Sequence, residues 1–290
     1  MEVEAALPQM QRLASRIWSR DSRHHPGQLS WSVYYGQDLE PGPVRLVSVS
    51  GGDVVGWAWA ESDSWLELCV DPAHPGVASE LIEWFLARAP EGDLSTMVLE
   101  TEEHLLAPLV DAGFAPTGLP WFTHHFLDLA ELDPVPEVEG YAFRHVEPGE
   151  AEARAACHRA AWSATSRVTG AAYAQLMGAP YYRHDLDWVA VERDGGMVAS
   201  VGLWLDPDTG VVLVEPVGCA PEHRGRRLAG AVSLAGLRAA RDLGATTGLV
   251  CPRGDDDYPV PGRVYRSIGF RPGPRTVTLT RPGTEPDPSA

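Results

Sequence analysis

The chain has 290 residues, 44% of them hydrophobic, which favours two packed domains over one. Its formal charge of −17 argues against nucleic acid or an anionic membrane as a partner, and is compatible with a cationic amine as a substrate. No apolar run approaches the ~20 residues that span a bilayer, and the acidic start Met1-Glu2-Val3-Glu4 reads as neither a signal nor a transit peptide.

In chain order, Leu7, Met10, Leu13, Ile17 and Trp18 recur at near-helical spacing and predict a helix over 5–19. A polar turn region at 21–27 follows. Segments 31–35, 44–49 and 54–59 read as strands of a meander, with Gly51-Gly52 as a turn signal. A strand over 65–70 runs into Asp71-Pro72-Ala73-His74-Pro75-Gly76 and a helix over 78–88. A strand at 97–100, a helix at 105–112, a Gly113-Phe114 turn and a strand at 122–129 close this segment. Asp133-Pro134-Val135-Pro136-Glu137 is a stiff, Pro-rich linker.

The second segment begins with a strand at 141–146 and helices at 150–162 and 171–177. A hairpin at 188–192 and 198–205 turns through Asp194-Gly195-Gly196. The strand that follows ends near Cys219. Pro221-Glu222-His223-Arg224-Gly225-Arg226-Arg227-Leu228-Ala229 then opens a helix with Leu228, Val232, Ala235, Ala239 and Leu243 on one stripe. After it come a strand at 247–251, a loop at 252–261, a short helix at 262–268, a Gly269-Phe270 turn and a last strand at 276–280. Residues 282–290 have the composition of a disordered tail.

The two segments echo each other. Pro72, His74 and Gly76 match Pro221, His223 and Gly225 at one offset, and Gly113-Phe114-Ala115-Pro116 matches Gly269-Phe270-Arg271-Pro272 at a slightly larger one. Domains over 1–132 and 141–281, joined by a linker over 133–140, are therefore expected to be copies of one α/β unit. In the first copy Pro75 stands where Arg224 stands in the second, and Glu80 adds negative charge to the helix start. That copy is expected to have lost its anion site.

A buried strand, a basic Gly-containing turn and a helix make a seat for a pyrophosphate, because the first N–H groups of a helix are unpaired and its dipole favours an anion. Neither the Walker A pattern nor the three-glycine dinucleotide pattern is present. The stretch from Arg224 to Ala229 instead resembles the acyl-CoA signature of the GNAT superfamily of N-acyltransferases, with Arg227 where glycine is usual. The order of elements resembles that fold twice over, as in tandem GNAT proteins. The implied fold class is α/β with mixed sheets: two tandem domains, each a central mixed β-sheet flanked by helices.

The resemblance implies acetyl-CoA as the acyl donor, with no metal. It places Arg224, Gly225, Arg226, Arg227, Leu228 and Ala229 around the pyrophosphate, and Val217, Gly218 and Cys219 along the pantetheine. Gly218 would permit close backbone approach, the Val217 N–H would face the thioester carbonyl, and Pro216 would help the strands part. Tyr265, four residues before Gly269, is implied as the acid that protonates the leaving thiolate. Glu215, a carboxylate in an apolar strand, is the candidate base; a solvent-facing glutamate is the other reading. Asp187, His184 and Asp255-Asp256-Asp257 are alternatives for lining an amine pocket, and residues 162–169 fall where the family contacts substrate.

Other chemistry has less to stand on. The pairs His24-His25 and His124-His125 would diverge on a strand, and no HExxH, paired CxxC or Gly-x-Ser-x-Gly pattern occurs. Cys69, Cys157, Cys219 and Cys251 read as free thiols of a reducing cytoplasm. The expected activity is acetyl transfer from acetyl-CoA to a primary amine of a small molecule, cationic by the tilt of the chain's charge, in a ternary complex. The alternative is a non-catalytic acyl-CoA-binding or interaction protein. Nothing in the sequence specifies an oligomeric state.

Overall fold

The structure is a computed structural model and describes residues 1–35, 42–118, 120–254 and 257–283. Helix α1 (Val3–Arg16) buries Val3, Leu7, Met10 and Leu13 on one stripe, as their spacing requires. Helix α2 (Pro26–Tyr35) replaces the strand expected at 31–35. Pro26 suits the first position of a helix. Trp31 and Tyr35 stack at 4.1 Å between ring centroids, an i,i+4 contact that a helix provides and a strand does not.

Strands β1 (Val44–Ser48), β2 (Val54–Ser62) and β3 (Trp65–Val70) form an antiparallel meander. Helix α3 (Val77–Leu86) crosses to β4 (Leu94–Leu99), parallel to β3. Helix α4 (Glu103–Asp111), β5 (Ala115–Pro116) and β6 (Thr123–Asp128) follow. The second half repeats the plan with β7 (Tyr141–His145), α5 (Ala151–Ala161), α6 (Gly170–Leu176), β8 (Asp187–Glu192), β9 (Met197–Asp206), β10 (Val211–Cys219), α7 (Leu228–Asp242), β11 (Thr247–Val250), α8 (Val260–Ser267) and β12 (Arg271–Arg281). Among the described residues no helix is long and apolar enough to cross a membrane.

The halves exchange their last strands. β6 leaves the first half and pairs antiparallel with β11, from Thr247 opposite Asp128 to Val250 opposite His125. β12 leaves the second half and pairs with β4, from Thr276 opposite Leu99 to Arg281 opposite Leu94. The result is one 12-stranded mixed sheet in the order β1-β2-β3-β4-β12-β6-β11-β10-β9-β8-β7, with β5 on β12. The linker at 133–140 thus separates the halves in sequence, but the sheet runs through both. β12 is longer than the strand expected at 276–280, and Gly283 donates to Asp93 Oδ1 at 3.0 Å. The start of the expected tail is therefore docked; residues 284–290 lie outside the described residues.

One departure from regular pairing positions the site. β10 runs parallel to β11 only from Val211 to Leu213, opposite Thr247 to Leu249. Its ladder with β9 then shifts register between Val214 and Val217. Beyond Leu213 the two parallel strands part.

Leu279 of β12 is fully buried in the first half's core with Ala58, Leu66, Val98 and Leu105. Leu279→Ala should cost about 2–5 kcal/mol. Because the exchanged strands tie the halves together, chemical denaturation should still show one transition, shifted as a whole; two separated transitions would contradict a shared sheet.

Candidate active site

The parted end of β10, the start of α7 and α8 enclose a cleft of about 860 Å³. Val217, Gly218, Cys219, Arg224, Gly225, Arg227, Leu228 and Ala229 line it, as does Tyr265. Arg226 does not: it is exposed, with its guanidinium 5.9 Å above the Tyr141 ring. The linker contributes Asp133, Pro134 and Pro136, so a segment read as a spacer is a wall of the cleft.

The turn into α7 is shaped by two left-handed residues, Gly225 (φ 79) and Arg227 (φ 63). The second explains why a glycine suits that position and why arginine there is strained. Among the described residues no carbonyl or side chain accepts from the N–H groups of Gly225 through Gly230; the first bond of the helix is Ala231 N–H to Arg227 O, 3.1 Å. No acidic side chain sits in the first turn. These are the features of an anion seat.

Arg224 serves differently from expectation. Its Nε donates to Cys219 O (3.2 Å) and its Nη2 to Ala161 O (3.1 Å), fastening the end of β10 to the end of α5. Gly218 is required by the protein itself: a Cβ there would lie 2.3 Å from the Trp162 ring and 2.7 Å from Ala161 Cβ. Trp162 thus covers β10 and lines the cleft, in the 162–169 segment expected to contact substrate.

Glu215 faces a second space, a cavity of about 330 Å³ between the halves. It shares that cavity with Leu213, Leu249 and Cys251 of the second half, and with Arg23, His25, Glu61, Trp65 and Glu67 of the first. Thr276 of β12 and His124 of β6 also line it. Burial pushes the Glu215 carboxyl up to about 7, with Arg23 pulling the other way. Arg23 forks both Nη atoms onto Glu67, and Trp65 Nε1 adds a bond to Glu67 Oε1 at 2.7 Å. Burial works against ionising Glu67, but Arg23 outweighs it and holds the carboxyl below the usual range.

Tyr265 is the cleft residue that feels charge from the cavity. It lines the cleft, and burial raises its phenol pKa, with Glu215 and Cys251 across in the cavity adding to the effect. It therefore carries its proton at neutral pH. Burial likewise raises Cys219 and Cys251, so both are thiols rather than thiolates.

Residues 140–270 match the acetyltransferase (GNAT) family model. The second half is a GNAT acetyltransferase domain. The protein is 27% identical to a mycothiol acetyltransferase of Sanguibacter keddieii, in an alignment that covers 84% of each chain. A GCN5-related N-acetyltransferase from Sphaerobacter thermophilus shares the fold with a TM-score of 0.64 at 20% identity, over 97% of this chain and 95% of that one. A tandem GNAT protein from the clavulanic acid biosynthesis pathway does so with a TM-score of 0.64 at 20% identity, over 99% of this chain and 96% of that one.

The corresponding turn of the first GNAT-like half is closed. The N–H groups of Val77 and Ala78 donate to His74 O (3.0 Å) and Pro75 O (3.2 Å), and Glu80 occupies the first turn, paired with Arg45 at 3.1 Å. Asp187 is not a pocket residue. It is buried, accepting from Arg154 Nε (2.8 Å), Tyr173 (2.8 Å) and Tyr182 (3.1 Å), and so holds α5, α6 and β8 together. His184 packs edge-on against the Tyr182 ring and lines neither space. Asp255 and Asp256 lie outside the described residues, and Asp257 is exposed. The first half's Arg23, Glu61 and Glu67 were not identifiable from the sequence, having no motif around them.

The strain at Arg227 gives a direct test. Arg227→Gly relieves about 1–2 kcal/mol of left-handed backbone cost and adds back part of it as unfolded-chain entropy. Its melting temperature should equal or exceed that of the wild type, whereas Arg227→Ala, which keeps a Cβ, should show no gain.

Proposed function

We propose that the protein transfers the acetyl group of acetyl-CoA directly to a primary amine of a small molecule, with donor and acceptor bound together. The observation that carries this reading is a cleft edged by free helix-start N–H groups and lined by Tyr265, whose phenol feels the Glu215 carboxyl of a separate acidic cavity. The cleft fits acetyl-CoA in chemistry. Its N–H groups suit the diphosphate, Arg227 adds charge there, and the parted edge of β10 offers backbone groups to the pantetheine arm. Acetyl-CoA supplies an activated acyl group as a thioester; the chain's residues supply placement and proton handling.

Glu215 takes the proton that the ammonium must lose before its nitrogen can attack. A carboxyl poised near 7 is suited to accept that proton, directly or through one water, at neutral pH. Tyr265 donates its proton to the sulfur as the carbon–sulfur bond breaks, and the amide carries the acetyl group away. The raised thiol pKa values of Cys219 and Cys251 favour direct transfer over an acyl-enzyme, since neither presents a thiolate to accept the acetyl group.

The pH profile tests the base. Protonated below about 7, Glu215 cannot accept a proton, so kcat/KM should rise with pH through about 7 and then level. Glu215→Gln should lose about 10²–10⁴-fold in kcat together with that limb; a limb that survives in the Gln variant removes Glu215 from the role.

Tyr265→Phe tests the acid. It should slow turnover by about 10²-fold or more while leaving the acetyl-CoA Kd within about threefold of wild type, as calorimetry would measure. Unchanged turnover would reassign the acid.

A further inference from the structure

The cavity between the halves holds more charge than one reacting amine requires. Four ionisable groups of fixed sign line it: Arg23, Glu61, Glu67 and Glu215. Arg23 and Glu67 neutralise each other through their bidentate pair. Glu61 and Glu215 remain, and among the described residues neither carboxyl has a hydrogen bond or an ion pair. Burial and the nearby Glu67 push Glu61 up to about 7, much as burial does Glu215. Both carboxyls line the one cavity with Arg23, whose charge acts on each of them.

The remaining polar lining is neutral. Burial lowers His25 to about 4, and its ring is already used, with Nε2 on Val211 O (3.3 Å) and Nδ1 accepting from Gly27 N–H (3.1 Å). His124 is lowered by burial to about 3 and is only 2% exposed. Yet neither of its ring nitrogens has a hydrogen-bond partner among the described residues, Nδ1 being wholly enclosed. A buried imidazole with unmet bonding capacity is costly unless something polar completes it.

We infer that the acceptor is a small dication, with its reacting amine at Glu215 and a second cationic group at Glu61. The inference rests on the acceptor reading above and makes Glu61, on the otherwise donor-free first half, a specificity-determining residue. With all four charged groups ionised, the cavity carries a net charge of −2, which a dication cancels and a monoamine does not. An acceptor bearing a carboxylate is disfavoured, because among the described residues the only cation facing the cavity is already held by Glu67. A hydroxyl or amide on the same molecule would suit His124, which also lines the cavity.

Calorimetric titration in the presence of CoA tests the inference independently of turnover. The probes are terminal diaminopropane, diaminobutane and diaminohexane, with butylamine and free glycine as comparisons. At least one diamine should bind wild-type protein tenfold or more tightly than butylamine. Glu61→Gln should narrow that ratio at least tenfold, and Glu61→Asp should restore part of it. Thermal melts check the fold: Glu61→Gln removes an unpaired, half-buried carboxyl and should melt no lower than wild type, and the diamine should raise the melting temperature of the wild type alone. Diamines that bind no better than butylamine, or a Glu61→Gln variant with an unchanged ratio, would overturn the inference. A thiol-release assay over the same amines separates this from the parent reading. Butylamine acetylated as well as every diamine sinks the dication alone, whereas diamine binding without release from any amine counts against acetyl transfer and leaves the cavity's preference standing.

Discussion

The parting of β10 from β11 after the Leu213–Leu249 pair is the constraint on which the site depends. A parallel pair that stayed zipped would satisfy its backbone groups internally and leave no place for a ligand. Here the register shift between Val214 and Val217 turns the strand end away, and backbone that would have met β11 borders open space instead. Opening the strands creates the cleft toward α7 and exposes Glu215 to the cavity. Tyr265 on α8 lines the cleft and feels the charge of Glu215. The start of α7 follows directly from the end of β10, so the anion seat is fixed relative to the seam by the few residues between Cys219 and Leu228.

The exchange of β6 and β12 makes this arrangement a property of the whole chain. Those two strands are neighbours in the middle of the sheet, and each places a residue, His124 and Thr276, in the cavity. The first half has closed its own helix start by bonding Val77 and Ala78 to the preceding turn. What it supplies is the far wall of the cavity: Arg23, held by Glu67 and by its own N–H to Glu102 Oε1 (3.1 Å), and Glu61 at the end of β2. One half thus carries the cleft, and the two together line the cavity.

Much of this was legible in the residues, and the limits of legibility have physical causes. The strand-turn-helix around Arg224 to Ala229 is encoded within a dozen residues, and the structure puts all of them but Arg226 on the cleft. The departure at Arg227 was visible as a missing glycine, and its φ of 63 shows what the glycine would have relieved. Gly218 was singled out for the approach of a ligand, but Trp162 makes the approach, a contact between elements far apart in sequence. The short aromatic run at 31–35 fits a strand or a helix; the stacking of Trp31 on Tyr35 decides for a helix. Glu61 and Arg23 carry no local signal. They reach the cavity only through sheet order and strand exchange, which no short window contains.

The central claim is that the N–H groups at the mouth of α7 hold the diphosphate of the donor. Backbone amide chemical shifts followed during an acetyl-CoA titration test it most directly. The account predicts the largest changes at Gly225 through Gly230, with the turn at 74–78 unmoved. Absence of any binding, or changes centred on Gly76 and Val77, would contradict it.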